Sequence, residues 1–523
     1  MTLRLHSGFI AAIAAACLSV PATAADLTIG LAGSVTSIDP HFYNASPNNS
    51  IAMQIFDRLT ERTASGQLVP GLAESWEPFG ERQWRFKLRP GVTWHDGVAF
   101  TADDVVFTFA RARNVPNSPG GFGGFLRNIE TVEAEDDLTV LLSTHQPTPT
   151  LPGEVANIAI VSRHVGDGAD TADYNSGKAA VGTGAFRYSS FRQGDQVVLE
   201  RNPDWWHGEV AWDRATYRMI GNNSSRTTAI LARDVDIIDV PAATDIERFK
   251  AEDGLVFAST PGLRVIYLAP TVSGDGWKPF VSGPNGETLD VNPLTDPKVR
   301  KALSIAINRE GIAERIMGGT ATATGQWLPE GTYSWNAEID VPQTDPAAAK
   351  ALLAEAGYPD GFRLTIHVPN DRYPNAPAVV QAIAQMWSRI GVATRVEALP
   401  WTTFSSRKKD VAIKLLGLGN ATYDASSMLV NVIGTDDPER GLGASNDSGY
   451  SNADLDALVA RAQSLTDENA REAALKEAVT VALDDTAIIP LYLQSNAWVM
   501  RKGISYEPRI DERTLAKDVT AAQ

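Results

Sequence analysis

The segment Leu68–Phe100 (LVPGLAESWEPFGERQWRFKLRPGVTWHDGVAF) constrains the fold most. Trp84, Phe86 and Leu88 alternate with Arg85, Lys87 and Arg89. Successive side chains of a strand point to opposite faces, so this pattern predicts a strand with one buried and one wet face. Pro90-Gly91 ends that strand, and Asp96-Gly97 supplies a second tight turn. Thr101 then precedes a helical pattern with Asp104 three residues on, the arrangement of a capping box. The reading is strand, turn, strand, turn, helix, a scaffold without chemistry of its own. His95 falls in the second turn and is assigned a structural role there rather than a ligating one.

A chain of 523 residues exceeds one ordinary domain, so two or three are expected. With 43% hydrophobic and 21% charged residues it is globular. Its formal charge of -17 argues against a nucleic-acid partner and against anionic membranes, and serves solubility. The first residues read as a signal peptide, residues 1–24. Arg4 gives the positive start, Gly8–Val20 an apolar run too short to span a bilayer, and Ala22-Thr23-Ala24 a cleavage site. Cys17 lies inside the apolar run. Lipid anchoring through it is the less favoured reading, because Ala14-Ala15-Ala16 lacks the usual leucine. The mature chain then has no cysteine, which excludes thiol catalysis and a disulfide scaffold. An exported, soluble periplasmic protein of a Gram-negative cell is expected.

Asp26–Gly33 reads as a first strand, and Ile51, Ile55 and Leu59 have helical spacing. Asp296-Pro297 and Asp345-Pro346 open two helices, the second closed by Gly357. Further strands are expected at 197–200, 264–269, 364–368 and 392–399, and a long surface excursion at 273–297. Strands and helices mix throughout, so the class is α/β.

No catalytic constellation is present. There is no G-x-S-x-G elbow and no Walker A loop. Gly182-Thr183-Gly184 and Gly121-Phe122-Gly123-Gly124 do not complete a dinucleotide fingerprint and are read as turns. The seven histidines are scattered, so neither a metal site nor a cofactor is expected. Paired carboxylates such as Asp436-Asp437 read as solvated surface. Twelve tryptophans and twelve tyrosines suit a closing cleft as well as a core.

The order PGLAESWE, alternating strand, RPGVTWHDG and FTADDVVFTFAR resembles the signature region of family 5 solute-binding proteins of ABC importers. VGTGAF at Val181, LERNPDWWHG at Leu199, DPKVRKALSIAINREGI at Asp296, DPAAAKALLAEAGYPDGF at Asp345 and AIIPLYLQSNAWV at Ala487 extend the resemblance over nearly the whole mature chain. It implies a two-lobe periplasmic-binding-protein fold of type II, with an extra satellite domain and a ligand cleft between the lobes. Lobe I would comprise residues 25–56, 181–270 and 490–523, the satellite 57–180, and lobe II 271–489. Crossings between lobes would lie near Pro270 and Pro490.

The resemblance also implies a site. Asn44, Ala45 and Ser46 match backbone that pairs with an extended peptide like an added strand. Phe122 and Phe125 match a loop that reaches over the ligand, and Trp401 a cleft tryptophan. Lys408 lies near a basic residue that meets the ligand's carboxyl end, and Tyr492 sits on the crossing strand. The loop Gly417, Leu418, Gly419, Asn420, Tyr423, Asp424 departs from the family pattern. Peptide binders carry a tryptophan where this chain has Leu418, and an amine-binding aspartate where it has Asn420 or Ala421. Either Asp424 takes over the amine, or the ligand has no free α-amine. The resemblance thus implies a non-enzymatic monomer that captures a short peptide or peptide-like solute and delivers it to an inner-membrane permease with its ATPase. A non-peptide solute such as an opine or sugar derivative is the alternative. A secreted hydrolase or a ligand sensor are remoter rivals.

Overall fold

The computed structural model describes residues 25–522. The expected signal peptide, residues 1–24, and Cys17 lie outside the described residues. A twelve-stranded sheet runs through the molecule. Its spine is two long antiparallel strands, Leu255–Pro270 and Ile489–Arg501, paired from Leu255 opposite Arg501 to Leu268 opposite Ile489. On one side of this pair the sheet continues through Ile237–Asp239, Asp26–Leu31, Arg214–Met219, Gln196–Arg201 and Phe186–Arg192. On the other it continues through Ile413–Gly419, Phe362–Pro369 and Val281–Ser282.

Both spine strands serve cores in both lobes. Trp498 and Met500 pack with Leu27, Ile29 and Tyr217 in lobe I. Ile266, Leu268 and Leu491 pack with helix Pro297–Ile305 and strand Phe362–Pro369 in lobe II, and Val265 and Tyr267 face a further lobe II core. The register shifts between Pro261 and Arg264, opposite Ser495 and Gln494. A bulge bends its strand and raises the local twist. The cores divide at this bulge, between Ala258 and Val265 on one strand and between Leu493 and Trp498 on the other.

The satellite is a four-stranded sheet in the order Ala73–Pro78, Gln83–Leu88, Thr139–Thr144, Ile129–Asp136. Trp84, Phe86 and Leu88 are buried, and Arg85 pairs outside with Glu135 at 2.8 Å. Helix Ala102–Ala112 covers the inner face, and the Thr101 N–H donates to the Asp104 carboxylate at 3.0 Å. The second strand expected from the sequence shrinks to one bridge, Thr93 with Ala99, around the Asp96-Gly97 turn. Val161, Tyr174, Ala179 and Ala180 pack into the lobe I core, while Val181 packs against the satellite core, so the two cores interleave along this stretch of chain. The excursion at 273–297 is partly ordered, since Val281–Ser282 pairs at the sheet edge with Arg363 and Leu364.

Gly182 and Gly184 tie the satellite to lobe I. A Cβ on Gly182 would lie 1.7 Å from the Ile55 carbonyl oxygen, so only glycine fits. The Gly182 N–H donates to His95 Nδ1 at 3.1 Å, and His95 Nε2 donates to the Gly184 carbonyl at 3.0 Å. His95 is thus a neutral structural bridge.

Burial pushes His95, His41 and His367 down to about 4. The unfolded chain binds more protons than the folded one between the ordinary value of about 6.5 and these values. Stability is therefore complete above that window and falls as pH drops through it. Melting temperature against pH should decline from pH 6.5 to about 4, and His95→Gln should flatten the decline. Gly182→Ala should cost more than ~2 kcal/mol in urea unfolding, through the clash with Ile55.

Candidate functional site

A cavity of about 340 Å³ lies at the bulge of the spine. Asn44, Ser46 and Asn49 line it from lobe I, Phe125 and Asn157 from the satellite, and Gly419, Asn420 and Tyr423 from lobe II. Arg264, Gln494 and Asn496 of the spine form its floor, and the tail from Ile510 to Arg513 closes one side. A second cavity of about 710 Å³ lies between Thr148 and Glu154 of the satellite and Ser427, Asn431 and Arg440 of lobe II. Loop residues Tyr423 and Ser426 face the first and second respectively.

The lobe I wall is set by half-buried Arg111 and its buried partner Asp39. Arg111 donates to both Asp39 carboxylate oxygens at 2.9 and 2.7 Å and to His41 Nδ1 at 2.9 Å. His41 Nε2 in turn donates to the Ala159 carbonyl at 2.8 Å. Burial disfavours the Asp39 charge, but Arg111 outweighs it and holds the carboxyl low. This cluster fixes the Asp39-Pro40-His41 turn, from which Asn44 and Ser46 enter the cavity. The Asn44 N–H already donates to Gly120 O at 2.8 Å, and the Ala45 N–H to Tyr43 O at 2.9 Å. Ala45 does not line the cavity. Two of the three backbone donors expected to meet a peptide are thus engaged internally.

The lobe II loop is built around Asn420. Its Oδ1 accepts from the Thr422 and Tyr423 N–H groups at 3.1 Å each, and its Nδ2 donates to Asp424 O at 2.7 Å. This is an Asx turn, in which the side chain replaces a backbone partner. It holds Tyr423 at φ 63°, in the left-handed region. The Tyr423 ring reaches across to lobe I and the satellite. It lies 4.1 Å beneath the Arg62 guanidinium, with Gly66 and Ile510 against it.

Asp424 is committed internally, which weighs against the first of the two alternatives, that it takes over a ligand amine, and leaves the second, a ligand without a free α-amine. It is 4% exposed and accepts from Arg471 at 2.5 Å. Thr422 Oγ1 donates to it at 2.6 Å, and Ser426 donates as well. Burial opposes its charge, but Arg471 and these hydroxyls hold the carboxyl below the usual range. A carboxylate so satisfied has no electrostatic demand left for a ligand.

Several expected residues sit elsewhere. Phe122 is buried in the satellite core, edge-on to His41, and only Phe125 reaches the cavity. Trp401 stacks on Phe404 and is covered by the Arg372 guanidinium at 4.5 Å. Lys408 pairs with Asp447 at 2.5 Å. Gly417 accepts from the Tyr373 hydroxyl at 3.2 Å, and Leu418 packs on a lobe II core. Tyr492 is 1% exposed in the lobe II core, while Gln494, two residues on, lines the cavity.

The sequence reading missed Arg264, Asn496, Glu512 and Arg513. No spacing links them, since the spine and the tail meet only in the folded chain, where Asn496 Nδ2 donates to the Arg509 and Ile510 carbonyls at 3.0 Å each. The signals in retrospect are Pro261-Gly262, which breaks the first spine strand, and the charged run Asp511-Glu512-Arg513.

The family model described as bacterial extracellular solute-binding proteins, family 5 Middle, matches residues 67–439. Heme-binding protein A of Haemophilus influenzae is 27% identical over 86% of this chain and 82% of its own length. The dipeptide-binding protein of Escherichia coli is 25% identical over 86% of each chain. A structure of HbpA2 from Haemophilus parasuis superposes with a TM-score of 0.83 at 24% identity, covering 95% of this chain and 100% of that one. That likeness shows the two-lobe fold.

Asp424→Asn should lower stability by about 3–5 kcal/mol, because it leaves Arg471 buried without a counter-charge. Adding Arg471→Met should recover part of the loss. Urea midpoints of both variants measure this, and an unchanged midpoint for Asp424→Asn would show the pair to be dispensable.

Proposed function

The chain belongs to the bacterial extracellular solute-binding proteins of family 5, and from that premise we propose that it is the substrate-binding component of an ABC importer. That family is a class of transport proteins rather than enzymes. The chain captures a short peptide or peptide-like solute in the cavity at the spine bulge and presents it to a membrane permease with its ATPase. One observation carries this reading. Lobe I, the satellite and lobe II all contribute to a single cavity seated on the bulge of the two strands they share. Closure about such a hinge changes the contacts of all three walls together, so a ligand touching them all favours the closed form.

The N-terminal Arg4, apolar run and Ala22-Thr23-Ala24 site support export to the periplasm. The chain acts as a monomer without a cofactor or metal. Asp39, His41 and Arg111 form the wall from which Asn44 and Ser46 contact the solute. Phe125, Gly419, Asn420 and Tyr423 supply the opposite walls, and Tyr423 also helps to hold the lobes together through Arg62.

A second reading, a non-peptide solute in the same importer role, is favoured by the internal commitment of Asp424 to Arg471. The carboxylate nearest the family's amine anchor is unavailable. An extended peptide that relied on that anchor would bury an unpaired ammonium.

Native mass spectrometry of the purified protein should reveal a bound small molecule. Adding that molecule at a hundred times its Kd should raise stability by about 2.7 kcal/mol. A broad peptide and metabolite screen without any thermal shift at millimolar concentration would argue against the importer role. Tyr423→Ala should weaken binding roughly five- to tenfold in titration calorimetry, by removing a contact across the cleft. Wild-type affinity in that variant would show that the contact is passive.

A further inference from the structure

Ala25 is held by both the side chain and the backbone of Asp213. The Ala25 N–H donates to Asp213 Oδ2 at 3.0 Å, and the Ala25 carbonyl accepts from the Asp213 N–H at 2.9 Å. The other carboxylate oxygen of Asp213 pairs with Arg201 at 2.6 Å. Asp26 follows at once, opposite Arg214 in the parallel ladder, and Leu27 begins the buried part of strand Asp26–Leu31. Asp213 thus brackets the backbone at the residue that leads into the lobe I sheet.

A cavity of about 450 Å³ opens at this point and shares no residue with the hinge cavity. Asp26, Glu200, Arg201, Pro203, Asp213 and Arg214 line it. Arg201 pairs with Asp213, and Arg214 lies 3.5 Å from Glu200. Three carboxylates therefore meet two guanidiniums, and one negative charge is left over. Among the described residues no three His, Cys, Asp or Glu side chains are placed to hold a metal ion. The nitrogen of Ala25 is the group already in contact with the site. As an amide it offers one hydrogen and no charge. As a free chain terminus it is an ammonium at neutral pH, with an ordinary pKa of about 8 and three hydrogens to donate. That charge balances the cavity.

We propose that this cavity receives the chain's own new N-terminus: a signal peptidase hydrolyses the Ala24–Ala25 bond, and the α-ammonium of Ala25 pairs with Asp213. Water adds its oxygen to the Ala24 carbonyl carbon and the C–N bond breaks. The Ala24 side leaves as a carboxylate, and the Ala25 nitrogen takes up the protons as an ammonium. The Ala22-Thr23-Ala24 pattern marks this bond from the leader side. Asp213 marks it from the folded side, 188 positions away. The site also distinguishes two routes of export. Lipid modification at Cys17 would leave residues 17–24 attached, and the Ala25 nitrogen would stay an uncharged amide. Cleavage at Ala25 adds a full positive charge to an existing hydrogen bond without moving the backbone. The proposal concerns maturation and holds whatever solute the importer carries.

The test begins with the full precursor, expressed in a Gram-negative host, and the exported product analysed by intact mass and N-terminal sequencing. The product should begin at Ala25. A product that begins elsewhere, or carries lipid on Cys17, overturns the proposal. Two altered termini then probe the ammonium. A glycine inserted between Ala24 and Ala25 moves the charge one residue away. Transamination of the purified mature protein turns the Ala25 amine into a ketone and needs no change in processing. Each altered form should melt about 1–2 °C below the unmodified protein at pH 7, because the pair is partly exposed. Asp213→Asn should erase most of that difference. The charged groups that face the terminus are Asp26, Glu200, Arg201, Asp213 and Arg214. An ammonium so paired stabilises the fold below about pH 8 and ceases to do so as pH rises further and it loses its proton, so the melting temperatures should converge by about pH 10. Equal melting of altered and unmodified forms at pH 7, or a difference untouched by Asp213→Asn or by pH, would overturn the proposal.

Discussion

The backbone ladder between Leu255–Pro270 and Ile489–Arg501 is the interaction on which the rest depends. These strands belong to both lobes at once. Every other strand of the large sheet attaches directly or indirectly to them, so the lobes share hydrogen bonds as well as a boundary. The ladder loosens at the register shift between Pro261 and Arg264, and shifts again between Ile266 and Tyr267. Pro261 has no N–H to donate, and Gly262 packs against the Gln494 carbonyl, where a Cβ would sit 2.7 Å away. The cavity occupies that point because the two cores separate there and leave polar spine residues uncovered.

Electrostatics then decides what the cavity can hold. Around it, buried charges are nearly all neutralised from within, by Arg111 on Asp39, Arg471 on Asp424 and Arg509 on Asp511. Each such pair offsets its desolvation only because its hydrogen bonds are nearly complete. These pairs build walls and do not recruit ligand. Recognition therefore falls to neutral amides and to the few groups that the network leaves open.

Much of the scaffold was legible in the sequence because its signals are local. The Trp84–Arg89 alternation, the Thr101 capping box, the Asp296 and Asp345 caps and Gly357 each act within a few residues, and each is found in the structure. The strand expected between the two turns after Leu88 was over-read, because two turns so close leave room for only one bridge. The site was legible only in part. Asn44, Ser46, Phe125, Gly419, Asn420 and Tyr423 came from the order of residues in the family and converge on one cavity. Asp424 looked available because sequence does not disclose its partner Arg471, which lies forty-seven positions away. Phe122, Trp401 and Tyr492 illustrate the same limit, since an aromatic residue in a core and one in a cleft look alike in sequence. Arg264 and Glu512 line the same cavity from distant parts of the chain, and no pattern of spacing links them.

The tail that closes the cavity has a consequence for how the protein comes into being. Ile510–Arg513 follow every other cavity-forming segment in the chain, and Thr514–Ala516 and Val519 lock into the lobe I interior just beyond them. A chain that is synthesised or threaded across a membrane from its N-terminus can assemble both lobes and still have an unfinished pocket. The cavity is therefore completed only when the last segment of the chain has folded into place.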